Sequence, residues 1–164
     1  MFNLARFLWK DGQLDEAERL TREVIDIEVQ RGEERSGPHA HSLVLMAQIE
    51  YARQEYDKSV KLMSRALEIN RGLHGRHSRP VIDNLHMLRK IEYQGKGDLR
   101  QAERIQKRIL ASEQRVSGWN SEAAQEEALL LREISEGLSP VKTRAAEDKK
   151  RKEIDNVFNQ AKFW

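Results

Sequence analysis

The chain has 164 residues, with 29 Lys and Arg against 27 Asp and Glu and a formal net charge of +2, a balance too even to demand a nucleic acid as partner. It contains no cysteine, which excludes a disulfide framework, a thiolate metal site and a cysteine nucleophile. Hydrophobic residues are 38% and charged residues 34%, polar for a globular protein yet above the apolar depletion of disordered chains, so the length allows one domain with a real core and a large surface. No apolar run approaches the length of a bilayer span. The opening MFNLARFLWKDG carries Arg6, Lys10 and Asp11 and lacks a small-residue cleavage site, unlike a signal peptide. A cytoplasmic protein without a membrane partner is expected.

In chain order, Leu4, Ala5, Phe7 and Leu8 precede Gly12 and mark a first helix. A second runs from about Leu14 to Arg31, with a small residue at Ala17, a large one at Leu20 and an apolar pair at Val24 and Ile25, spacings that fall along one helix face. After the loop SGPHAH, Met46, Ala47, Ile49 and Tyr51 lead to Gln54, and a helix from about Tyr56 to Arg71 carries Ser59, Leu62 and Ala66-Leu67. After HGRHSRP, the series Leu85, Leu88, Ile91 leads to Gly97, followed by Ala102, Ile105 and Ile109-Leu110. Positions 17, 59 and 102 are 42 and 43 residues apart. Recurrence at a fixed period marks stacked supersecondary units, each of which needs a neighbour to bury its apolar face. The interval from Leu88 to Gly97 is about one residue too long for the pattern, which predicts a loosened turn at EYQGKGDL. Beyond it, 121–138 reads as a helix with Ala124, Ala128, Leu131 and Ile134 on one strip and a cap at Asn120 or Ser121. The last segment, 141–164, is charged and ends in a stripe of Ile154, Val157, Phe158 and Ala161.

The series Leu4-Ala5, Phe7-Leu8, Gly12, Leu14, Ala17 resembles a tetratricopeptide repeat, and the longer period with its Gly/His/Pro-containing loop is similar to the kinesin light chain type. Met46-Ala47, Ile49, Tyr56, Ser59, Met63 and Ala66 match the same motif in a second unit, and Gly97, Leu99, Ala102 and Ile109 in a third. The resemblance implies an all-α, right-handed solenoid of antiparallel helix hairpins. About three repeats (1–31, 40–72 and 80–115) would fill residues 1–115, with a degenerate repeat or capping helices over 119–164 ending in a charged helix.

The resemblance also implies a concave groove lined by the first helix of each hairpin and binding a protein or peptide partner. If Leu4-Ala5 and Phe7-Leu8 face the core, the helix period turns Asn3, Arg6, Trp9 and Lys10 toward that groove. Gln48 and Tyr51 join them from the second unit, and Asn84, Met87 and Lys90 from the third. Asn3 sits where the resembled family often has a backbone-binding asparagine, whereas its counterparts are Leu45 and Met87. His39 and His77 fall where that family keeps a loop histidine, so a structural role in the turn is expected. Neither a metal site nor a cofactor is expected, since no HExxH and no glycine-rich phosphate cradle is present. Catalysis is not expected either.

Two alternatives belong to other classes. Homodimerisation would use the N-terminal edge, where Phe2, Phe7, Leu8 and Trp9 crowd together, or the C-terminal helix. Weak, salt-sensitive nucleic-acid binding would use Arg71, Arg76 and Arg79, assisted by the lysines and arginine at 149–152.

Overall fold

The computed structural model describes residues 1–137, and among these it holds seven α-helices, one π-helical segment and no strand. The helices are α1 (Phe2–Lys10), α2 (Leu14–Gln30), α3 (Gly37–Ala52), α4 (Tyr56–His74), α5 (Arg79–Lys90), α6 (Leu99–Ser117) and α7 (Glu122–Gly137). The π segment, Ile91–Lys96, continues α5. Neighbours in sequence are neighbours in space: α1 packs on α2, α3 on α4, α5 on α6, and each pair stacks on the next. The fold is an all-α repeat, and the terminal segment with its Ile154 stripe lies outside the described residues.

Within a hairpin the turn is short because a left-handed residue reverses the chain. Gly12 has φ +80°, Gln54 +64° and Gly97 +69°, and these three occupy one position in successive hairpins. Glycine reaches this region without cost, while a glutamine meets its own Cβ there. The closing hydrogen bonds show where the extra residue of the third unit goes. The Gln13 amide donates to Leu8 O and the Glu55 amide to Glu50 O, both at 2.9 Å, but Asp98 reaches one residue further back to Glu92 O at 2.8 Å. Wider π winding absorbs the additional residue. The predicted loosened turn is therefore a correction in kind: the helix widens before an otherwise ordinary turn.

Close approach of the two helices in a hairpin rests on small residues. Ala5, Ala17, Ala47, Ser59 and Ala102 are all fully buried. At Ser59 the hydroxyl donates to Ala47 O at 2.6 Å, so a polar group in the core is satisfied by the helix opposite. Between the first two hairpins lie Ala5, Ala17, Leu20, Leu45 and Ile49. A larger cluster, including Met63, Leu67, Ile82, Leu85, Ile91, Ile105 and Ile109, joins the second and third.

Buried polar contacts set the register of the stack. Glu28 near the end of α2 accepts from the Ser42 hydroxyl at 2.9 Å and lies 2.9 Å from His39 Nδ1. At the matching place in the next junction, Asn70 of α4 meets Asn84 of α5, whose side-chain amide, oriented by its partners, accepts from Asn70 Nδ2 at 2.9 Å and donates to Pro80 O at 3.3 Å. At the third junction Gln106 donates to the Glu127 carbonyl and carboxylate of α7 at 2.8 and 2.6 Å. Ser121 caps α7 by accepting from the Ala124 amide at 3.2 Å, and Ala124 and Ile134 anchor the helix while Ala128 stays exposed.

Candidate protein-interaction surface

Stacking places the first helices α1, α3 and α5 side by side, and the surface they share is the candidate site. On α1 the helix is rotated relative to the expectation. Phe2, Leu8 and Trp9 pack against the core cluster around Ala5, while Leu4 and Phe7 are 53% and 64% exposed. Trp9 is thus half-buried, and only Asn3, Arg6 and Lys10 of that predicted group stand free of the core. The rotation follows from α2, against which the small face of Ala5 must sit. The crowded N-terminal edge differs likewise: Phe2, Leu8 and Trp9 are half-buried against the core, leaving Met1, Leu4 and Phe7 exposed.

On α3, Gln48 is half-buried, and Tyr51 packs on the larger core cluster with its ring tilted against Tyr56, centroids 5.6 Å apart. Lys90 of α5 carries its ammonium 5.1 Å from the Tyr51 ring centroid, a cation-π contact bridging two hairpins. Met87 is half-buried against the same cluster. Asn84 does not reach the surface: it is 6% exposed and held by Asn70, because its helix position faces the preceding hairpin. Beyond the sequence-derived set, His86, Arg89, Tyr93 and Gln94 join Met87 and Lys90 around a shallow depression. The π segment brings Tyr93 and Gln94 onto this face, a displacement that the regular period conceals.

The exposed charge on these helices is mainly basic, although the Glu127 carboxylate of α7 lies 3.6 Å from His86 Nε2. Arg6, Lys10 and Lys90 are exposed and have no carboxylate within ion-pair distance among the described residues. The acids that follow or precede Tyr51 and Lys90 most closely, Glu50 and Glu92, are buried. Burial pushes the Glu92 carboxyl above the ordinary carboxylate value, against the pull of Lys96. Lys96 Nζ in turn lies 2.9 Å from Asp57, which it holds below the usual value.

Other sequence candidates have settled roles. His39, in the first turn of α3, is buried against Glu28 of α2, and His77 Nδ1 lies 3.1 Å from Ser112 Oγ of α6, so the first ties helix to helix and the second ties a loop to a helix. Among the described residues no group of three or more His, Asp or Glu side chains could hold a metal ion. Arg79 pairs with the buried Glu113 of α6, while Arg71 and Arg76 are exposed.

The family model described as tetratricopeptide repeat matches residues 3–28, and a second model of the same description matches residues 38–115. The chain belongs to the tetratricopeptide repeat family, with repeats that resemble those of kinesin light chains. Members of this family generally mediate protein–protein interaction, and the fold is typically a non-catalytic scaffold.

Among solved structures, BtubC (BKLC) from P. vanneervenii is similar with a TM-score of 0.75 and 20% identity, over 95% of this chain and 62% of that one. A Podosopora anserina protein described as a putative kinesin light chain with nearly identical TPR-like repeats gives 0.67 and 18% identity, over 81% of this chain and 63% of that one. A variant of that protein gives 0.67 and 17%, over 81% and 62%. The chain thus spans about six-tenths of the length of these structures, and at such identities the likeness is one of fold. No curated protein matches the sequence.

Proposed function

We propose that this chain is a non-catalytic interaction module, an adaptor or scaffold in the cytoplasm, that receives a peptide or helical segment of a partner protein on the shared face of α1, α3 and α5. The observation that carries the reading is the set of exposed cations on these first helices, Arg6, Lys10 and Lys90, which have no carboxylate within ion-pair distance among the described residues, with Lys90 set between the rings of Tyr51, which it contacts, and Tyr93, with which it lines one depression. An extended partner offers many weak contacts to such a wide, shallow surface, whereas a small molecule would remain mostly solvated. Aromatic area and charge-assisted hydrogen bonds would supply the affinity.

The test compares the full chain with an Arg6→Glu/Lys10→Glu/Lys90→Glu variant as bait at physiological salt, after circular dichroism shows equal helicity. Trp9 and Asn84 are left intact because both are packed. A protein captured by the first and lost by the second supports the face; equal capture by both baits refutes it. Sedimentation of the isolated chain separates this reading from self-association through Met1, Leu4 and Phe7.

A further inference from the structure

The second helices α4 and α6 end on one edge of the stack, and their ends are held together. The loop after α4 reaches α6 through His77 and Ser112, 3.1 Å apart, and the start of α5 does so through the Arg79–Glu113 ion pair. The Ser117 hydroxyl at the end of α6 closes the group by donating to Glu113 at 3.0 Å. This pinning aligns two equivalent positions, Leu73 and Val116, which lie 14 residues after Ser59 and Ala102. Leu73 is 49% exposed and Val116 50%. In the turn just beyond, Trp119 is 75% exposed, more than any other large hydrophobic residue among those described. At the position matching Leu73 and Val116 the first hairpin has Arg31 instead.

Arginines flank this apolar edge on the α6 side, while Leu73 also borders a depression of mixed charge lined by Glu34, Arg35, Arg65 and Glu68. Arg71, Arg76, Arg108 and Arg115 are exposed and have no carboxylate within ion-pair distance among the described residues. Partial burial and the neighbouring Arg71 charge lower the Arg108 guanidinium from its ordinary value, as expected where like charges are crowded. Glu113, on α6 between Arg108 and Arg115, is buried and engaged by Arg79 and Ser117. The corresponding loop after α2 is balanced, with Arg31 and Arg35 beside Glu33 and Glu34.

We propose that the edge carrying Leu73, Val116 and Trp119, flanked by Arg71, Arg76, Arg108 and Arg115, rests on the surface of an anionic lipid bilayer. No helix among the described residues is long and apolar enough to cross a membrane; the contact is peripheral. Protruding aliphatic side chains and an indole suit the boundary between headgroups and acyl chains, and arginines at the same level meet lipid phosphates and carboxylates. A bilayer needs no shaped pocket in return, which fits side chains that project from helix ends. One aromatic ring among two aliphatic side chains is a poor stacking platform for single-stranded nucleic acid. The edge is separate from the face of α1, α3 and α5, so a scaffold seated on lipid would keep that face free.

The experiment uses the full chain and co-sedimentation with phosphatidylcholine vesicles, with and without phosphatidylserine. Binding is expected only to the anionic vesicles, falling steeply with added salt. An Arg71→Gln/Arg76→Gln/Arg108→Gln/Arg115→Gln variant should bind at least about a hundredfold more weakly, and Trp119→Ser about tenfold more weakly. Both keep the His77 and Arg79 contacts that pin the loop. Because the chain has no cysteine, Val116→Cys labelled with a polarity-sensitive dye reports insertion by a blue shift, and Lys10→Cys on the other face should give none. Absence of binding to phosphatidylserine vesicles overturns the proposal. So does binding that folded edge variants retain, since the site would then lie elsewhere. Binding to a single-stranded oligonucleotide but not to vesicles would overturn it in favour of nucleic acid.

Discussion

The turns that close the second and third hairpins perform one task with opposite means. In the second, α3 ends on time and Gln54 accepts a left-handed conformation that a side chain dislikes. In the third, one additional residue is taken up as π winding, and a glycine then makes the same reversal without strain. Both deliver the following helix in register, with Ser59 and Ala102 buried against the preceding helix. The stack therefore tolerates an insertion at the turn because the buried positions on either side recover their phase. What the third turn acquires in return is surface: Tyr93 and Gln94 reach the interaction face from the widened segment.

The contrast can be broken most severely at Gly95. A Cβ there would lie 2.7 Å from Cδ1 of Tyr56, the residue that opens α4, and an aromatic ring packed on a helix cannot yield cheaply. Gly95→Ala should destabilise the protein by about 2–3 kcal/mol, read as a lower urea midpoint at unchanged slope. Ala at Gly72, where a Cβ meets nothing within 4 Å, is the control.

Next in size is Asn84→Ala, which removes the link between the two hairpins and leaves Asn70 buried without its partner. A loss of about 2 kcal/mol is expected. Replacing both asparagines by leucine should cost less than the single change, because no orphaned amide remains.

A smaller effect distinguishes the π segment by its pH dependence. Glu92 is buried, and its Oε2 accepts no hydrogen bond among the described residues, with Lys96 Nζ 3.7 Å away, so burial raises its folded-state value above the unfolded one, with Lys96 opposing. The folded state then holds the proton more tightly, and stability falls as pH rises from below the unfolded value through the raised folded one. Glu92→Gln should abolish that fall, making the variant more stable than the parent near pH 7 by on the order of 1 kcal/mol and no more stable in acid. Urea titrations at both pH values decide it; a difference that persists unchanged in acid would show that ionisation is not the cause.

The mildest change acts on the second turn. Gln54→Gly relieves the left-handed side chain and should raise stability by about 0.5–1 kcal/mol. The same substitution in the third turn has no counterpart, since Gly97 already stands there.

Much of this architecture was legible in the sequence because it rests on local, repeated requirements. Ala17, Ser59 and Ala102 marked the close helix contacts, and Gly12 and Gly97 the reversals. The extra residue before Gly97 was visible as well, though its accommodation by winding rather than by a looser loop was not. The interaction face was less legible. The pattern Leu4-Ala5, Phe7-Leu8 gives the period of α1 but leaves its rotation open, and a small rotation exchanges Trp9 for Phe7 at the surface. Asn84 looked like a surface donor because its partner, Asn70, belongs to the preceding helix.

By itself, then, the sequence determined the helices, their pairing and the family, since each follows from spacings of a few residues that every hairpin must satisfy. Tertiary structure alone decided which side of α1 faces outward, which polar groups are spent in the junctions, and which apolar side chains are left uncovered at the ends of α4 and α6. Those outcomes depend on the neighbour that each helix meets, and burial is a property of that pair rather than of either segment.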